Sequence, residues 1–357
     1  MAFIDPTDLT FTGKEIREAG EIIIKELVEV PEVDKFLTVK EDVVASEKVG
    51  FADAFDKITK AYSGCEPTFG SKEIGMSEKT WSPAKVEILD KQCLDDLEQT
   101  FFVYLKNKGK DAENWDKTDF IQFYIQFIAP AMGRDLFRLV WFGDTAAANY
   151  NDSPAGVISN GTDITDMNII DGLFKQLFSI ATTTPARKVT ISKNSQSTYA
   201  NQTFDSTDIT NKVASIVYRD LIQKADPRLR SRADKVILST RSLADQYQNE
   251  LESQGVSESF KMITDGVSVL KRNSIEIYAI DAFDAIIDSY FNNGTKWYLP
   301  HRAVLMTKSN MFVGVDAKSS LKSWNTFYVP QERNNYLMGG YKLDAKVYQD
   351  HLVQVAY

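Results

Sequence analysis

The sequence predicts an α+β chain assembled from unlike parts, and three stretches carry that reading. TDFIQFYIQFIAPAMGRDLFRLVWFGDT, from Thr118 to Thr145, is a long apolar run with no charge between Asp119 and Arg134. Thr38 to Asp90 is the opposite in texture, with few large aliphatic residues and with Gly50, Gly64, Gly70 and Gly75 breaking it into short runs. Beyond the small, polar stretch AAANYNDSPAGVISNGTD, segments of helical and of alternating periodicity follow one another, which describes a mixed α/β layer structure.

The apolar run is too short to cross a membrane. Only the fourteen residues from Phe120 to Gly133 lack charge, against roughly 20 needed to span a bilayer, and Arg134, Asp135 and Arg138 would lie in hydrocarbon. It reads as a helix buried over most of its circumference. Thr118 is its N-cap, Asp119 sits in the first turn, Gly143 at C′ stops it, and Pro130 and Gly133 bend it. At 1.5 Å per residue such a rod is roughly 36 Å long, so it needs a flat surface or many neighbours to lie against.

The remaining elements follow from period and punctuation. TGKEIREAGEIIIKELVEVPEV is an amphipathic helix with a Thr12/Glu15 capping box, ended by Pro31, and it reads as an arm. KTWSPAKVEIL alternates like a strand that Pro83 keeps from a sheet centre. CLDDLEQTFFVYLKNKG is a helix begun by Cys93, with Leu94, Leu97, Phe101 and Leu105 on one face. IIDGLFKQLFSI is helical and RKVTIS extended. TDITNKVASIVYRDLIQK is one helix with Ile209, Val213, Ile216, Val217 and Leu221 inward. KVILST and NSIEIYAI are strands, and SLADQYQNELES and DAFDAIIDSYFNNG are helices, the last ended at Gly294. RAVLMTK and NMFVGVD are two strands around a Ser309-Asn310 turn. From SWNTFYVP to the end the chain reads only as strands. A stretch as long and core-poor as 38–90 is uncommon in a compact domain unless it has a binding task.

With 357 residues, 43% apolar and 25% charged, the composition is that of an ordinary globular protein. Two cysteines, Cys65 and Cys93, suit a reducing compartment, and MAFIDPTDLT has no secretory pattern, so a chain made in cytoplasm is expected. The formal net charge of -9 opposes a main task of gripping nucleic acid, whose affinity comes from basic residues on phosphates. PRLRSRADK, with Arg228, Arg230, Arg232 and Lys235, reads as a solvated turn or an interface rim. No phosphate-cradling loop, metalloprotease helix, CxxC or nucleophile elbow occurs. His301 and His351 read as surface or interface histidines, the two cysteines as buried or spectator thiols, and Trp81 and Trp297 as packing. No catalytic, cofactor-binding or metal residue is assigned, and no cofactor is called for. Among fifty Asp and Glu residues a glycosidase-type pair defined only by spacing in three dimensions has room. A cytoplasmic carboxylate-based hydrolase therefore stays as the alternative.

In order and texture these parts resemble the major capsid protein of tailed bacteriophages, the Hong Kong 97-type fold. DFIQFYIQFIAPAMGRDLFRLVWFGDT looks like that family's spine helix and the 38–90 stretch like its extended two-stranded loop. RAVLMTKSNMFVGVD is similar to its late strand pair and YKLDAKVYQDHLVQVAY to its terminal strands. The resemblance implies an N-terminal arm over 1–37, an extended β-hairpin loop over 38–92 and a peripheral domain with the spine helix over 93–150. A mixed α/β axial domain over 151–300 and return strands of the peripheral domain over 301–357 complete it. It implies a non-enzymatic shell protein of the virion, assembled in a bacterial host's cytoplasm as a homo-oligomer of hexamers and pentamers. Its expected partners are a separate scaffolding protein and a portal. The shell encloses double-stranded DNA without sequence-specific binding, and no membrane is involved.

Overall fold

The computed structural model describes residues 30–52, 58–59, 61, 74–93, 117–146, 167–255, 261–264, 267–317, 324–329, 331–332 and 334–357. The arm helix from Thr12, the helix from Cys93 to Gly109, Cys65 and most of the 146–163 stretch lie outside them, as does the side chain of Thr118.

The first half of the chain gives strands β1 (Thr38–Lys40), β2 (Lys48–Ala52), β3 (Met76–Thr80) and β4 (Ala84–Cys93), then helix α1 (Lys117–Phe142) and helix α2 (Leu173–Thr183). After them come β5 (Lys188–Val189), α3 (Ser206–Asn211), α4 (Val213–Gln223), β6 (Lys235–Thr240), α5 (Arg241–Ser253), β7 (Lys261–Thr264), β8 (Val267–Arg272) and β9 (Ile275–Ile280). The last part is α6 (Asp281–Tyr290), β10 (Ala303–Thr307), β11 (Met311–Val315), β12 (Trp324–Val329), β13 (Asn334–Val347) and β14 (Val353–Ala356).

Among the described residues the strands form three sheets. One has seven strands in the order β5-β14-β10-β6-β9-β8-β7, one has five built around the long β13, and β2 and β3 form a separate antiparallel ribbon. The central strands of the seven-stranded sheet are covered on both faces, which is why they read as continuous apolar runs. Along β10, Val304 and Met306 join one core cluster while Ala303 and Leu305 join the other. The second cluster takes in α4 and α5 through Tyr218, Leu221, Leu243 and Tyr247. The first gathers the end of α1, helices α2 and α6, and the inner face of the five-stranded sheet at Val313, Leu343 and Ala345.

The long apolar segment is a helix of 26 residues that continues through Pro130. It is not buried along its described length: Ala129, Pro130 and Ala131 are exposed and Phe127 is half-buried, whereas Phe137, Leu139, Val140, Trp141 and Phe142 are buried. Its last turns close an aromatic cluster in which Trp141 lies 5.3 Å from Phe174 and 5.1 Å from Phe283. Gly143 ends the helix where expected, without a left-handed φ. A Cβ there would come within 2.6 Å of the Ile170 and Leu139 carbonyl oxygens, so the requirement is close approach of the following segment.

Four other expectations are corrected. The single helix read from Thr207 to Lys224 is two, broken at Lys212, whose φ is 54°, and Ile216, read as inward, is exposed. The break is fixed by buried Glu250, whose two carboxylate oxygens accept the Ala214 and Ser215 N–H groups at 2.8 Å each, satisfying donors that a new helix start leaves open. Secondly, β10 and β11 do not pair with each other. The 308–310 turn is a step from the seven-stranded sheet into the five-stranded one, so the 301–357 stretch feeds both sheets. Thirdly, KTWSPAKVEIL is not one strand: β3 ends at Thr80 in the ribbon and β4 begins at Ala84 against β13 in the five-stranded sheet, with Pro83 in the break between them; β1 joins that sheet too. Lastly, Cys93 ends strand β4 and does not begin a helix.

Candidate functional site

The β2–β3 ribbon leaves the body of the protein through one tightly built root. Trp81, just after β3, is 1% exposed. It lies against Gly314 so closely that a Cβ on that glycine would sit 2.6 Å from the indole ring. Its N–H donates to Glu47 O at 2.9 Å and its carbonyl accepts from Ser46 N at 2.9 Å. Ser82 N donates to Asp344 Oδ2 at 2.7 Å, which ties the exit of the ribbon to β13. Tyr348 stacks on Phe312 at 3.9 Å and meets the edges of Trp81 and Phe51 at 6.0 and 5.6 Å. Lys40 pairs with Glu47, and Lys79 reaches Asp350 at 3.0 Å.

Beyond the root the ribbon is uncovered. Met76 is 78% exposed and Ile74 56%, and the alternate residues of β2 are exposed. A second uncovered surface is the outer face of the five-stranded sheet. Leu89 lies opposite Met338, and Phe327 opposite Tyr336; with period two these side chains share one face, and Leu89, Met338 and Phe327 are all exposed. Single exposed apolar residues need no explanation, but grouped ones on a rigid sheet and a projecting ribbon mark surfaces made to be covered.

The residues that could carry chemistry do not converge on one site, though His301 and Trp297 line one cavity. His351 sits in a one-turn helix before β14, not in a strand, beside Asp350. His301 is buried and not at the surface: Nδ1 meets Ser242 Oγ at 2.9 Å and Nε2 meets the Gln202 carbonyl at 2.9 Å. The carbonyl can only accept, so Nε2 carries the hydrogen and Nδ1 accepts from the serine. Burial lowers the pKa of this imidazole to about 4. It lines a cavity with Asp284, whose carboxyl burial raises to about 6. Sequence reading missed this pairing because the four residues that build it come from different elements. Trp81 packs as expected, while Trp297 lines the same cavity and donates its indole N–H to Asp288 Oδ1 at 2.8 Å. The PRLRSRADK arginines are solvated, as expected, Arg228 bonded to Asp226 and Arg232 to Asp234. Among the described residues no His, Cys, Asp and Glu group could hold a metal, and no helix is long and apolar enough to cross a membrane.

No protein-family model matches the chain, and no curated protein does. Solved structures match along almost its whole length. A chain of Gordonia phage Cozz aligns with a TM-score of 0.54 at 10% identity, covering 94% of this chain and 89% of that one. A chain of Mycobacterium phage Ogopogo aligns at 0.52 and 10% identity over 99% of both. A chain from the mature capsid of bacteriophage PhiM1 aligns at 0.51 and 8% identity, over 94% and 90%. At such identities the likeness is one of fold, and the α+β architecture is the Hong Kong 97-type capsid fold. The comparisons give the hydrolase alternative no support.

Proposed function

We propose that this protein is a major capsid protein, the subunit of an icosahedral shell that encloses the double-stranded DNA of a tailed phage or prophage. The observation that carries the reading is the β2–β3 ribbon: a hairpin pinned by Trp81 at its root, with apolar side chains left in solvent, on a fold shared with phage chains. Contact between a ribbon on one copy and a different surface on the next is heterologous, and heterologous contacts close into rings or extend into lattices. Copies grouped as hexamers and pentamers use that geometry. The formal charge of -9 suits a wall that must not bind its contents tightly. Residence in the virion, assembly in the host cytoplasm, a separate scaffolding protein and a portal belong to the same reading, as does a role without catalysis. The division into arm, extended loop, peripheral domain, axial domain and return strands belongs to the same reading, with β10 and β14 counted in the seven-stranded sheet and β1 and β4 in the five-stranded one.

The test is to charge the ribbon without touching the root. The double substitution Ile74→Glu, Met76→Glu places carboxylates where the wild-type side chains are already exposed, so the subunit's unfolding free energy should stay within the small range of surface changes, about ±0.5 kcal/mol. Light scattering should show the loss of large assemblies. Assembly equal to wild type would reject the ribbon as the joining element.

A further inference from the structure

A cavity of about 420 Å³ opens beside α5 and α6, closed on one side by the irregular segment 297–301. That segment is held more firmly than a connecting loop requires. Buried Gln202 brackets Trp297, donating to its carbonyl at 2.9 Å and accepting its N–H at 2.8 Å. Asn194 brackets His301 the same way, at 2.7 and 3.0 Å. From behind, the buried Arg302 guanidinium donates to Leu299 O at 2.8 Å and Tyr298 O at 3.1 Å. Those bonds hold Leu299 at a φ of 48°, a conformation a leucine adopts only when its surroundings impose it. Arg302 is itself seated over Phe142, Phe174, Phe178 and Phe291 at 4.9 to 5.4 Å.

The polar groups facing this space are mostly acceptors. Gln246 is 3% exposed and lines the cavity. Its amide nitrogen donates to Glu250 Oε1 at 3.2 Å, which fixes the orientation of the amide. Its oxygen then accepts nothing among the described residues. Asp284 accepts the Arg241 and Ser242 N–H groups at 2.6 and 3.1 Å; a carboxylate has about four acceptor sites, so capacity remains. Asp288, bonded to Trp297, adds a second carboxylate, and Asp245, which accepts from the Arg241 guanidinium at 2.7 Å, a third. The rest of the lining sets Thr203, Ser242, Asn249 and His301 beside an apolar part made by Phe204, Ile287, Pro300 and the Trp297 ring. Carboxylates and an open amide oxygen call for a donor with positive charge, and aromatic and aliphatic walls call for hydrocarbon next to it.

We propose that this cavity is a binding site for a small organic cation, an alkylammonium whose head meets Asp284 and the Gln246 oxygen while its chain lies along Trp297, Phe204 and Ile287. A hydrated metal ion would leave the apolar wall unused, and an anion would face the carboxylates. This site is independent of the shell-forming role.

Titration calorimetry of the full chain with n-pentylammonium, n-pentanol and magnesium tests it. The expected result is one saturable site for pentylammonium per chain, with Kd no weaker than about 1 mM. Pentanol should bind at least about tenfold more weakly, and magnesium should not compete. Asp284→Asn should weaken pentylammonium by about tenfold or more, as removal of a charged acceptor does. Gln246→Met, which removes the open oxygen at similar volume, serves where the Asp284 variant does not fold, and should weaken binding several-fold. Absence of a saturable site, equal affinity for pentanol, displacement by magnesium, or wild-type affinity in the folded variants would each overturn the assignment.

Discussion

Replacing Phe137 by Asp is expected to leave no folded subunit. The ring is 1% exposed, packed 5.5 Å from Phe283 and 6.3 Å from Trp141. Truncating a buried phenylalanine costs about 3–5 kcal/mol through lost transfer and cavity terms, and an unpaired buried charge adds several more. Domain stabilities are only about 5–15 kcal/mol, so the sum is of the size of the whole. The informative control lies on the same helix. Phe127→Asp, which the sequence alone would rank as equally damaging, sits where the chain is half-buried and the carboxylate can reach water. It should keep a folded subunit, with a lower melting temperature by circular dichroism. Equal loss of structure in both variants would contradict the partition of this helix into a buried end and an uncovered one.

The second large effect is a pH dependence that stays hidden until one partner is removed. Burial lowers His301 to about 4 from an ordinary value near 6.5. Its contribution to stability is complete above pH 6.5 and is lost as pH falls toward 4, because the unfolded chain takes a proton that the folded chain refuses. Asp284 has the opposite sense. Raised by burial to about 6 from 3.8, it is protonated first in the folded chain, so stability is gained as pH falls from about 6 to below 4. Each amounts to on the order of 3 kcal/mol, and the two windows overlap. In the wild-type subunit these two contributions should therefore nearly cancel between pH 6.5 and 4. Asp284→Asn should lose on the order of 3 kcal/mol over that window in urea denaturation, and His301→Gln should gain a comparable amount. Parallel pH curves for all three proteins would contradict the linkage.

The sequence carried more of the architecture than of the site. The long helix, the ribbon-bearing stretch and the late strands were legible because each depends on local pattern: a long apolar run closed by Gly143, glycine punctuation, and β-branched residues in period. What period could not tell was the partner of each strand. RAVLMTK and NMFVGVD read as two strands around a turn, yet the three residues between them carry the chain from one sheet to another, a choice made by β6, β14 and β13 far along the chain. The break at Lys212 was equally illegible. The residue that makes it tolerable, Glu250, is 36 positions from the N–H it accepts. The root of the ribbon depends on a Trp81–Gly314 contact, and Trp81 read alone as mere packing. His301 was misplaced at the surface for the same reason: its burial is decided by Gln202, Asn194 and Ser242, none near it in sequence.

The most direct measurement of the shell-forming claim is negative-stain electron microscopy of the purified chain at low and high concentration. Rings or closed particles tens of nanometres across, built from this chain and absent in the Ile74→Glu, Met76→Glu variant, are the predicted result. A uniform field of monomers or twofold dimers in every preparation, from protein whose circular dichroism shows it folded, would contradict it.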